Sequence, residues 1–365
     1  MSLRAIARQS QRIYLSGEIA SSFLLAMTRY HFNPMKAVVL ESAENPIVVK
    51  EVAKPVPSAG EVLVQIKAAA LNRRDWWITQ GKYAGIKYPT ILGADGAGIV
   101  AEAGEGAEKW VGKEVIINPS HHWGDHPEYQ GKDFKILGLP DDGTLAEYVL
   151  VKAEYLYPKP THLSWEQAAA IPLAGLTAYR ALFTKARIKK GDKVLIVGVG
   201  AGTGTFLLQW AVAAGAQVFV TSGSGEKIER ARQLGAAAGV NYKAQDWAQE
   251  LKHLAGGFDI VVDSALGPDF AKIPDLCNAG GRIVFFGGTA GNIPEINARP
   301  LFWKQLQLLG TTMGTQEEFK AMLQLVNEHK IIPVVDEVLP LAEAKAAFEK
   351  MGASKQFGKI VLVNA

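Results

Sequence analysis

The stretch KVLIVGVGAGTGTF, from Lys193 to Phe206, decides the fold that this sequence predicts. A short apolar run ends at Gly198, glycine then fills every second position up to Gly204, and the helical sequence TFLLQWAVAAGA follows. Backbone N–H groups at a helix N-terminus attract phosphate, and glycine lets a ligand come close to the backbone. The stretch therefore predicts a phosphate-binding turn, although no frame of it fits the spacing G-x-G-x-x-G. A plain tight turn, which is the alternative, needs only one or two of these glycines.

Short buried strands alternate with helices around this turn. The strands read KVLIV, AQVFVTS, GVNY, FDIVVDS, RIVFFG and LQLLGTT. Their starts are spaced by roughly 20–24 residues, which is typical of βαβ units in a parallel sheet. Six such strands predict an α/β chain with a doubly wound parallel sheet, the Rossmann arrangement.

The rest of the chain divides around this sheet. Residues 35–157 are rich in β-branched runs interrupted by Gly and Pro, which predicts a compact β barrel or sandwich. The sheet domain is predicted over 158–312. The tail, 313–365, contains two helical and two strand patterns but no sheet of its own, so we expect it to return to the first domain. Residues 1–34 have the character of an N-terminal extension, because MKAVVLE at Met35 is a natural start.

Composition and charge limit the function classes. The chain has 365 residues and one cysteine, Cys277, which excludes a disulfide framework and a multi-cysteine zinc site and favours a reducing, cytoplasmic location. The net charge of +3 comes from the arginines of residues 1–34, and the remaining chain has 35 basic and 35 acidic side chains. Neither a nucleic-acid partner nor a membrane partner is therefore predicted.

The end of the second strand indicates which nucleotide binds. An NAD site needs an acidic residue there for the ribose 2′-hydroxyl. The sequence VFVTSGSGEK instead offers Ser222, Ser224 and Lys227, which suit the 2′-phosphate of NADPH. In the alternative interpretation, Lys227 is a solvated helix residue and Glu226 accepts the ribose.

Several segments together resemble one known family. In the sheet domain these segments are AAAIPLAGLTAY, VLIVGVGAGTG, GSGEKIERARQLGA and GGRIVFFGG, and in the first domain they are LNRRDWW, ILGADGAGIV and GTLAEYV. They resemble the medium-chain dehydrogenase/reductase superfamily and, within it, the quinone oxidoreductase-like (zeta-crystallin-like) branch. The resemblance covers the chain from Met35 onward. It implies a GroES-like catalytic domain, a Rossmann domain and an active site in the cleft between them. Relatives are often dimers joined through the edge strand of the Rossmann sheet, here LQLLGTT, so a homodimer is expected.

The resemblance also implies the site residues. In the cleft, Asn72 would offer an amide donor, Tyr83 a phenol that donates or relays a proton, and Asp75 would orient its neighbours; Asn72 and Asp75 could instead cap a helix that begins at RRDWW. The implied cofactor-binding residues are Thr177, Gly198, Gly200, Ala201, Gly202, Thr203, Gly204, Ser222, Ser224, Lys227, Tyr242, Ser264, Phe286, Gly287, Met313 and Lys359. For Tyr242 and Phe286, simple packing is the alternative.

The same alignment bears on metal binding. In zinc-dependent members, the three positions of the catalytic ligands correspond to Asn72, Ala94–Asp95 and Leu173–Gly175, and none of these sets offers a tetrahedral nitrogen and sulfur site. The cluster HHWGDH (His121, His122, Asp125 and His126) has residues that can bind a metal, but a polar surface loop explains it as well. We therefore predict an enzyme without metal.

Taken together, these features predict an NADPH-dependent reductase of quinones or α,β-unsaturated carbonyls, with a small-molecule substrate. An alcohol or aldehyde oxidoreductase is the alternative among enzymes. A nucleotide-binding protein with a structural or regulatory role, as the crystallin relatives suggest, is the alternative outside enzymes.

Overall fold

The first part of the chain is built from antiparallel strands around one short helix. The computed structural model describes residues 33–44 and 47–364, so nearly all of the predicted extension over 1–34 lies outside the described residues. The strands are β1 (Pro34–Leu40), β2 (Val48–Ala53), β3 (Glu61–Ala70), β4 (Thr90–Ile91), β5 (Asp95–Ala103), β6 (Glu114–Ile117), β7 (Ser120–His121), β8 (Lys135–Ile136), β9 (Tyr148–Lys152) and β10 (Leu156–Pro158). Helix α1 (Arg73–Thr79) follows β3. The β-rich first domain predicted from the Gly- and Pro-punctuated runs is confirmed.

A six-stranded parallel sheet forms the second part. Its strands are β11 (Lys193–Val197), β12 (Gln217–Ser222), β13 (Ala238–Asn241), β14 (Phe258–Asp263), β15 (Cys277–Phe285) and β16 (Gln307–Gly310). Their order is β13-β12-β11-β14-β15-β16, and every neighbouring pair is parallel. The order reverses between β11 and β14, which is the switch point at which doubly wound sheets bind ligands. The predicted α/β class and Rossmann sheet are confirmed.

Helices precede and connect these strands. They are α2 (Trp165–Ala170), α3 (Pro172–Tyr179), α4 (Gly202–Ala213), α5 (Gly225–Gln233), α6 (Trp247–Ala255), α7 (Ile273–Leu276) and α8 (Ala298–Trp303). Ser164 begins α2 with a capping box, in which its hydroxyl accepts from Gln167 N. Helix α3 continues into a π-helical turn, Arg180–Lys185.

The tail supplies two helices and the last two strands. These are α9 (Gln316–Glu328), β17 (Val335–Pro340), α10 (Ala344–Gly352) and β18 (Lys359–Val363). Strand β18 pairs antiparallel with β3, and the larger sheet of the first part has the order β10-β6-β5-β3-β18-β17, with β9 also paired to β3. The last strands of the chain thus lie in the sheet that its first strands begin.

One hydrophobic core joins the two parts. It contains Ala68 and Ile116 from the first sheet together with Val194, Phe206 and Trp210 from the parallel sheet and α4. A second core lies within the first part and includes residues of β3, β5 and β18. Because the first of these cores is continuous across the two sheets, the cleft between them has walls fixed by packing. No described helix is long and apolar enough to cross a membrane.

Candidate functional site

The residues predicted to bind a cofactor gather along one edge of the parallel sheet. Strands β11, β12, β13, β14, β15 and β16 end at Val197, Ser222, Asn241, Asp263, Phe285 and Gly310. Each of these ends is followed within three residues by at least one predicted residue, from the glycine loop at 198–204 to Met313. The sheet therefore brings these residues to its carboxyl edge, where doubly wound folds bind nucleotides.

The glycine loop has the geometry of a phosphate cradle. Helix α4 begins at Gly202 with Ala201 as its N-cap, and Ala201 has no side chain that could cap the first-turn N–H groups. Gly200 adopts φ +131°, a conformation that favours glycine. A Cβ on Gly202 would lie 2.6 Å from Lys359 Cδ, so only glycine leaves room there. The loop therefore fits a dinucleotide pyrophosphate, with the free N–H groups of α4 as donors.

Hydroxyl groups order the end of β12. Thr221 Oγ1 accepts from Gly198 N at 3.0 Å, which ties the strand end to the glycine loop. Ser222 Oγ accepts from Ser224 N at 3.3 Å, and Ser224 caps α5 by accepting from Lys227 N at 3.4 Å. No carboxylate stands at this strand end, so the residues present suit a 2′-phosphate better than a bare ribose hydroxyl.

The ammonium group of Lys227 is already partly bonded. Its Nζ donates to the carbonyl oxygens of Ser354 at 2.9 Å and Gln356 at 2.7 Å, and burial lowers the pKa of this lysine. These two contacts hold the Lys227 ammonium against the backbone of residues 354–356. The structure adds Lys243, which the sequence analysis missed: a Cβ on Gly223 would lie 2.8 Å from the Tyr242 hydroxyl and 2.9 Å from Lys243 Cε.

The predicted residues Thr177, Met313, Ser264, Phe286 and Gly287 are held by short-range contacts. Thr177 Oγ1 donates to Leu173 O at 2.8 Å and lies 3.9 Å from Met313 Sδ. Ser264 and Gly287 are adjacent, since a Cβ on Gly287 would meet Ser264 O at 3.0 Å, and Phe286 N donates to Asp263 O at 3.2 Å. Backbone contacts thus hold the turns after β14 and β15 side by side.

A buried ionic network joins the two parts of the chain. Lys359 Nζ donates to Asp95 Oδ2 and to Asn72 Oδ1, both at 2.7 Å. Asn72 Nδ2 donates to Asp95 Oδ2 at 2.9 Å, and Leu173 N donates to Asp95 Oδ1 at 2.8 Å. The side chains of Lys359 and Asp95 are only 3% and 0% exposed, so this ion pair is shielded from water. We call Asn72, Asp95 and Lys359 the buried triad.

Two members of the buried triad, Asn72 and Asp95, stand at positions that the resemblance assigns to zinc ligands, and Leu173 of the third position donates to Asp95. Asp95 is the sole carboxylate of the group, and Lys359 already neutralises it. Zinc in proteins is held by three or four Cys, His or carboxylate ligands, and Asn72 and the Leu173 amide supply none of these. The residues present therefore do not fit a catalytic zinc ion, and a lysine ammonium is the cation at this point of the fold.

Arg74 and Asp75 on α1 form a second polar group with Tyr83, which lies in the loop after this helix. Asp75 Oδ2 accepts from Asn72 N at 2.8 Å, which is the helix-capping contact considered as an alternative for this residue. Asp75 is fully buried, and this burial raises the pKa of its carboxyl to about 6. The Arg74 guanidinium lies 5.2 Å from the centre of the Tyr83 ring, and Tyr83 is 37% exposed.

The histidine cluster is explained by packing. The His121 ring stacks on Tyr155 at 3.9 Å, and its burial lowers the pKa of the imidazole to about 4. The His126 ring stacks on Tyr129 at 4.0 Å. Among the residues that the structure describes, no group of three or more His, Cys, Asp or Glu side chains is placed to hold a metal ion.

Arg180 holds the same loop against the second part of the chain. It is 1% exposed, forms two bonds of 2.8 and 2.7 Å to Glu318, and donates to the carbonyl oxygens of Pro127 and Glu128. In this segment an arginine thus organises the backbone. Sequence reasoning missed this contact because Arg180 and Glu318 are far apart in the chain.

Two protein families match the chain. Residues 58–161 match the family model described as alcohol dehydrogenase GroES-like domain, and residues 202–328 match that described as zinc-binding dehydrogenase. A zinc-type alcohol dehydrogenase-like protein, YogA, from Leptosphaeria maculans is 34% identical, with the alignment covering 87% of this chain and 94% of the relative.

Solved structures share the fold over nearly the full length. A crystal structure described as an NAD-dependent alcohol dehydrogenase has a TM-score of 0.86 at 37% identity and covers 91% of this chain and 100% of its own. The 2-octenoyl-CoA carboxylase reductase CinF, solved with NADP and 2-octenoyl-CoA, has a TM-score of 0.82 at 26% identity and covers 91% and 88%.

Proposed function

This chain belongs to the medium-chain dehydrogenase/reductase superfamily of oxidoreductases, and on that premise we propose that it is an NADPH-dependent reductase of α,β-unsaturated carbonyls or quinones that works without a metal. The observation that carries the proposal is the buried triad, in which Asn72 and Asp95 stand at expected zinc-ligand positions and the Lys359 ammonium takes the place of a metal cation. Without a Lewis acid, hydrogen-bond donors must polarise the substrate oxygen. A conjugated acceptor suits such a site because the charge that a hydride brings spreads onto that oxygen.

The choice of NADPH rests on the end of β12. Tyr242 and Lys243 lie against Gly223, and Ser222, Ser224 and Lys227 stand close to it in the chain, so hydroxyl and ammonium groups are present where an NAD site has an acid. The CinF structure was solved with NADP. NADPH, when bound, would supply the hydride, its pyrophosphate would meet the first turn of α4, and Thr177 and Met313 would lie at the nicotinamide end.

The catalytic residues would act as donors and positioning groups. The side-chain amide nitrogen of asparagine carries two N–H donors. Asn72 Nδ2 uses one of them on Asp95, which leaves one for a substrate. Tyr83 would relay a proton through its exposed phenol. Asp75 would be a positioning residue, since it fixes the start of α1 through the backbone of Asn72.

The cofactor assignment is tested by the double variant Ser222→Asp with Lys227→Ala. Fluorescence titration should give a loss of NADPH affinity of ~10²- to 10⁴-fold, because two charge-assisted bonds are removed and a carboxylate is placed against the phosphate. NADH affinity should change little. Equal losses for both cofactors would contradict the assignment.

The reaction is tested by NADPH oxidation with an enone and with a quinone, before and after dialysis against a chelator. Turnover that the chelator leaves unchanged supports the proposal. Alcohol oxidation is the second candidate, favoured by the names of the YogA relative and of the NAD-dependent alcohol dehydrogenase structure. Chelator-sensitive turnover of simple alcohols would favour that candidate, whereas tight NADPH binding with no turnover would favour a non-catalytic role.

We also propose that the protein is a homodimer. Strand β16 lies at an edge of the parallel sheet, and its side chains are mostly exposed. Phe302 and Trp303, shortly before it, are 66% and 76% exposed. Exposed edges and large apolar side chains are typical of faces that pair with another chain. Light scattering on the purified protein tests this, and a monomer at micromolar concentration would refute it.

A further inference from the structure

Arg74 is a buried arginine whose hydrogen-bonding capacity is largely unused. Its side chain is 8% exposed, and its Nη1 donates to Leu137 O at 3.0 Å. The nearest carboxylate oxygen, Asp75 Oδ1, is 3.5 Å from Nη1. Within the described residues, both Arg74 Nε and Asp75 Oδ1 are buried without a hydrogen-bond partner. Arg74 and Asp75 form an ion pair through Nη1 and Oδ1, and because buried polar groups are almost always paired, the unpaired Arg74 Nε points to a missing acceptor.

The neighbouring cations differ from Arg74 in this respect. Arg73 donates to Met351 O at 2.7 Å and to Ser354 Oγ at 2.8 Å. Lys359 is committed to Asn72 and Asp95 in the buried triad. Of these three cations around the start of α1, Arg74 therefore has the most donors left for a substrate.

Arg74 lies beside residues that the proposed function uses. Arg74 lies two residues after Asn72, its guanidinium faces the Tyr83 ring at 5.2 Å, and it contacts the turn after β8 through Leu137. That turn belongs to the loop that Ser120 ties to the second part of the chain, where its Oγ donates to Gly314 O. The guanidinium is thus fixed in place by α1 and by a segment anchored across the cleft.

We propose that Arg74 binds the carbonyl oxygen of the substrate and stabilises the enolate formed during conjugate reduction. This inference rests on the proposed function. The substrate β carbon accepts the hydride from NADPH and forms a C–H bond, the C=C electron pair moves between the α carbon and the carbonyl carbon, and the carbonyl oxygen takes the negative charge. A proton from solvent then forms the C–H bond at the α carbon and restores the carbonyl. A guanidinium suits this role because it stays protonated and offers several donors in a fixed plane.

The kinetic test compares Arg74→Gln with Arg282→Gln. Arg282 is a matched control: its Nε is also buried and unpaired, its Nη2 is bound to Asp192 at 2.6 Å, and it lies near the amino ends of the parallel strands. With NADPH and 3-penten-2-one, Arg74→Gln should lower kcat by roughly 10²- to 10³-fold, as loss of an oxyanion donor does. NADPH affinity should stay within about threefold, and Arg282→Gln should retain kcat.

If Arg74→Gln does not fold, Arg74→Lys replaces it, with at least a tenfold loss of kcat expected. Retention of kcat in the folded Arg74 variant overturns the inference.

A binding test separates this inference from the proposed function. Crotonate is a stable carboxylate with the shape and charge of an enolate, and calorimetry can measure its binding to the protein saturated with NADP⁺. The wild type and Arg282→Gln should bind it, whereas Arg74→Gln should bind at least tenfold more weakly. If no enone is reduced but this difference persists, the proposed reaction fails and Arg74 stands as an anion-binding residue. If wild type and Arg74→Gln bind crotonate equally, or neither binds it, the inference about Arg74 is overturned.

Discussion

Replacing Lys359 by methionine removes the cation of the buried triad while keeping most of the volume of the side chain. The ammonium lies 2.7 Å from both Asp95 and Asn72, and the side chains of Lys359 and Asp95 are only 3% and 0% exposed. The variant leaves the Asp95 carboxylate buried without a counter-charge. Breaking such a pair costs about 3–5 kcal/mol. We expect the free energy of unfolding to fall by that amount.

The double variant Asp95→Asn with Lys359→Met tests the reason for this loss. The amide introduced by Asp95→Asn can still accept from Leu173 N through its oxygen, and its NH₂ group can donate to Asn72 Oδ1. No charge is then left buried, although Asn72 Nδ2 loses the acceptor that Asp95 Oδ2 provided. The double variant should therefore be more stable than Lys359→Met alone, with a coupling energy of at least about 2 kcal/mol between the two positions.

Urea unfolding followed by tryptophan fluorescence measures these differences, because the chain contains 8 tryptophans. A chelator should leave the midpoint of each protein unchanged. If the losses of unfolding free energy in Asp95→Asn and in Lys359→Met simply add in the double variant, with a coupling energy below about 0.5 kcal/mol, the argument that charge compensation holds the triad together is refuted.

Three further predictions follow from single contacts. Burial raises the pKa of Asp75 to about 6. Since the folded pKa exceeds the unfolded one, this carboxyl favours folding at pH 4 and loses that contribution as pH rises through 6, so Asp75→Asn should gain about 2 kcal/mol relative to wild type between pH 4 and pH 8 in urea titrations. Burial also raises the pKa of the Cys277 thiol to about 12, with 4% exposure, so a thiol reagent should label the native protein far more slowly than the unfolded one; equal rates would contradict this. Gly202→Ala places a Cβ 2.6 Å from Lys359 Cδ and should weaken NADPH binding at least tenfold by titration, whereas Gly310→Ala, with its nearest neighbour at 3.8 Å, should not.

The fold could be predicted because its signals are local. Each strand of the parallel sheet is a short apolar run, and the strand ends carry the glycines and hydroxyl residues that a nucleotide site needs. The misfit of the glycine loop to G-x-G-x-x-G did not matter, since the free N–H groups of α4 depend on where the helix begins and on the absence of a cap. The start of α2 likewise has a local signal, the capping box of Ser164.

The contacts that define the cleft were beyond sequence reasoning because they join distant residues. Asp95 and Lys359 are 264 positions apart, and each stands alone in an apolar segment. Lys243 gave no signal, because a lysine after a strand is usually solvated. Arg74 was noted only as a neighbour of Asp75, since an unpaired guanidinium can be recognised only when its surroundings are known.

The pairing of β18 with β3 has a consequence for the order in which the protein is made. Strand β3 leaves the ribosome almost 300 residues before its partner, whereas all six strands of the parallel sheet come from one continuous stretch. The nucleotide-binding sheet can therefore assemble while synthesis continues, but the first sheet and the Asp95–Lys359 pair must wait for the final residues. A chain that stops short of Lys359 would lose a central strand of that sheet and the cation beside Asp95 together. The catalytic cleft can thus form only after synthesis of the chain is complete.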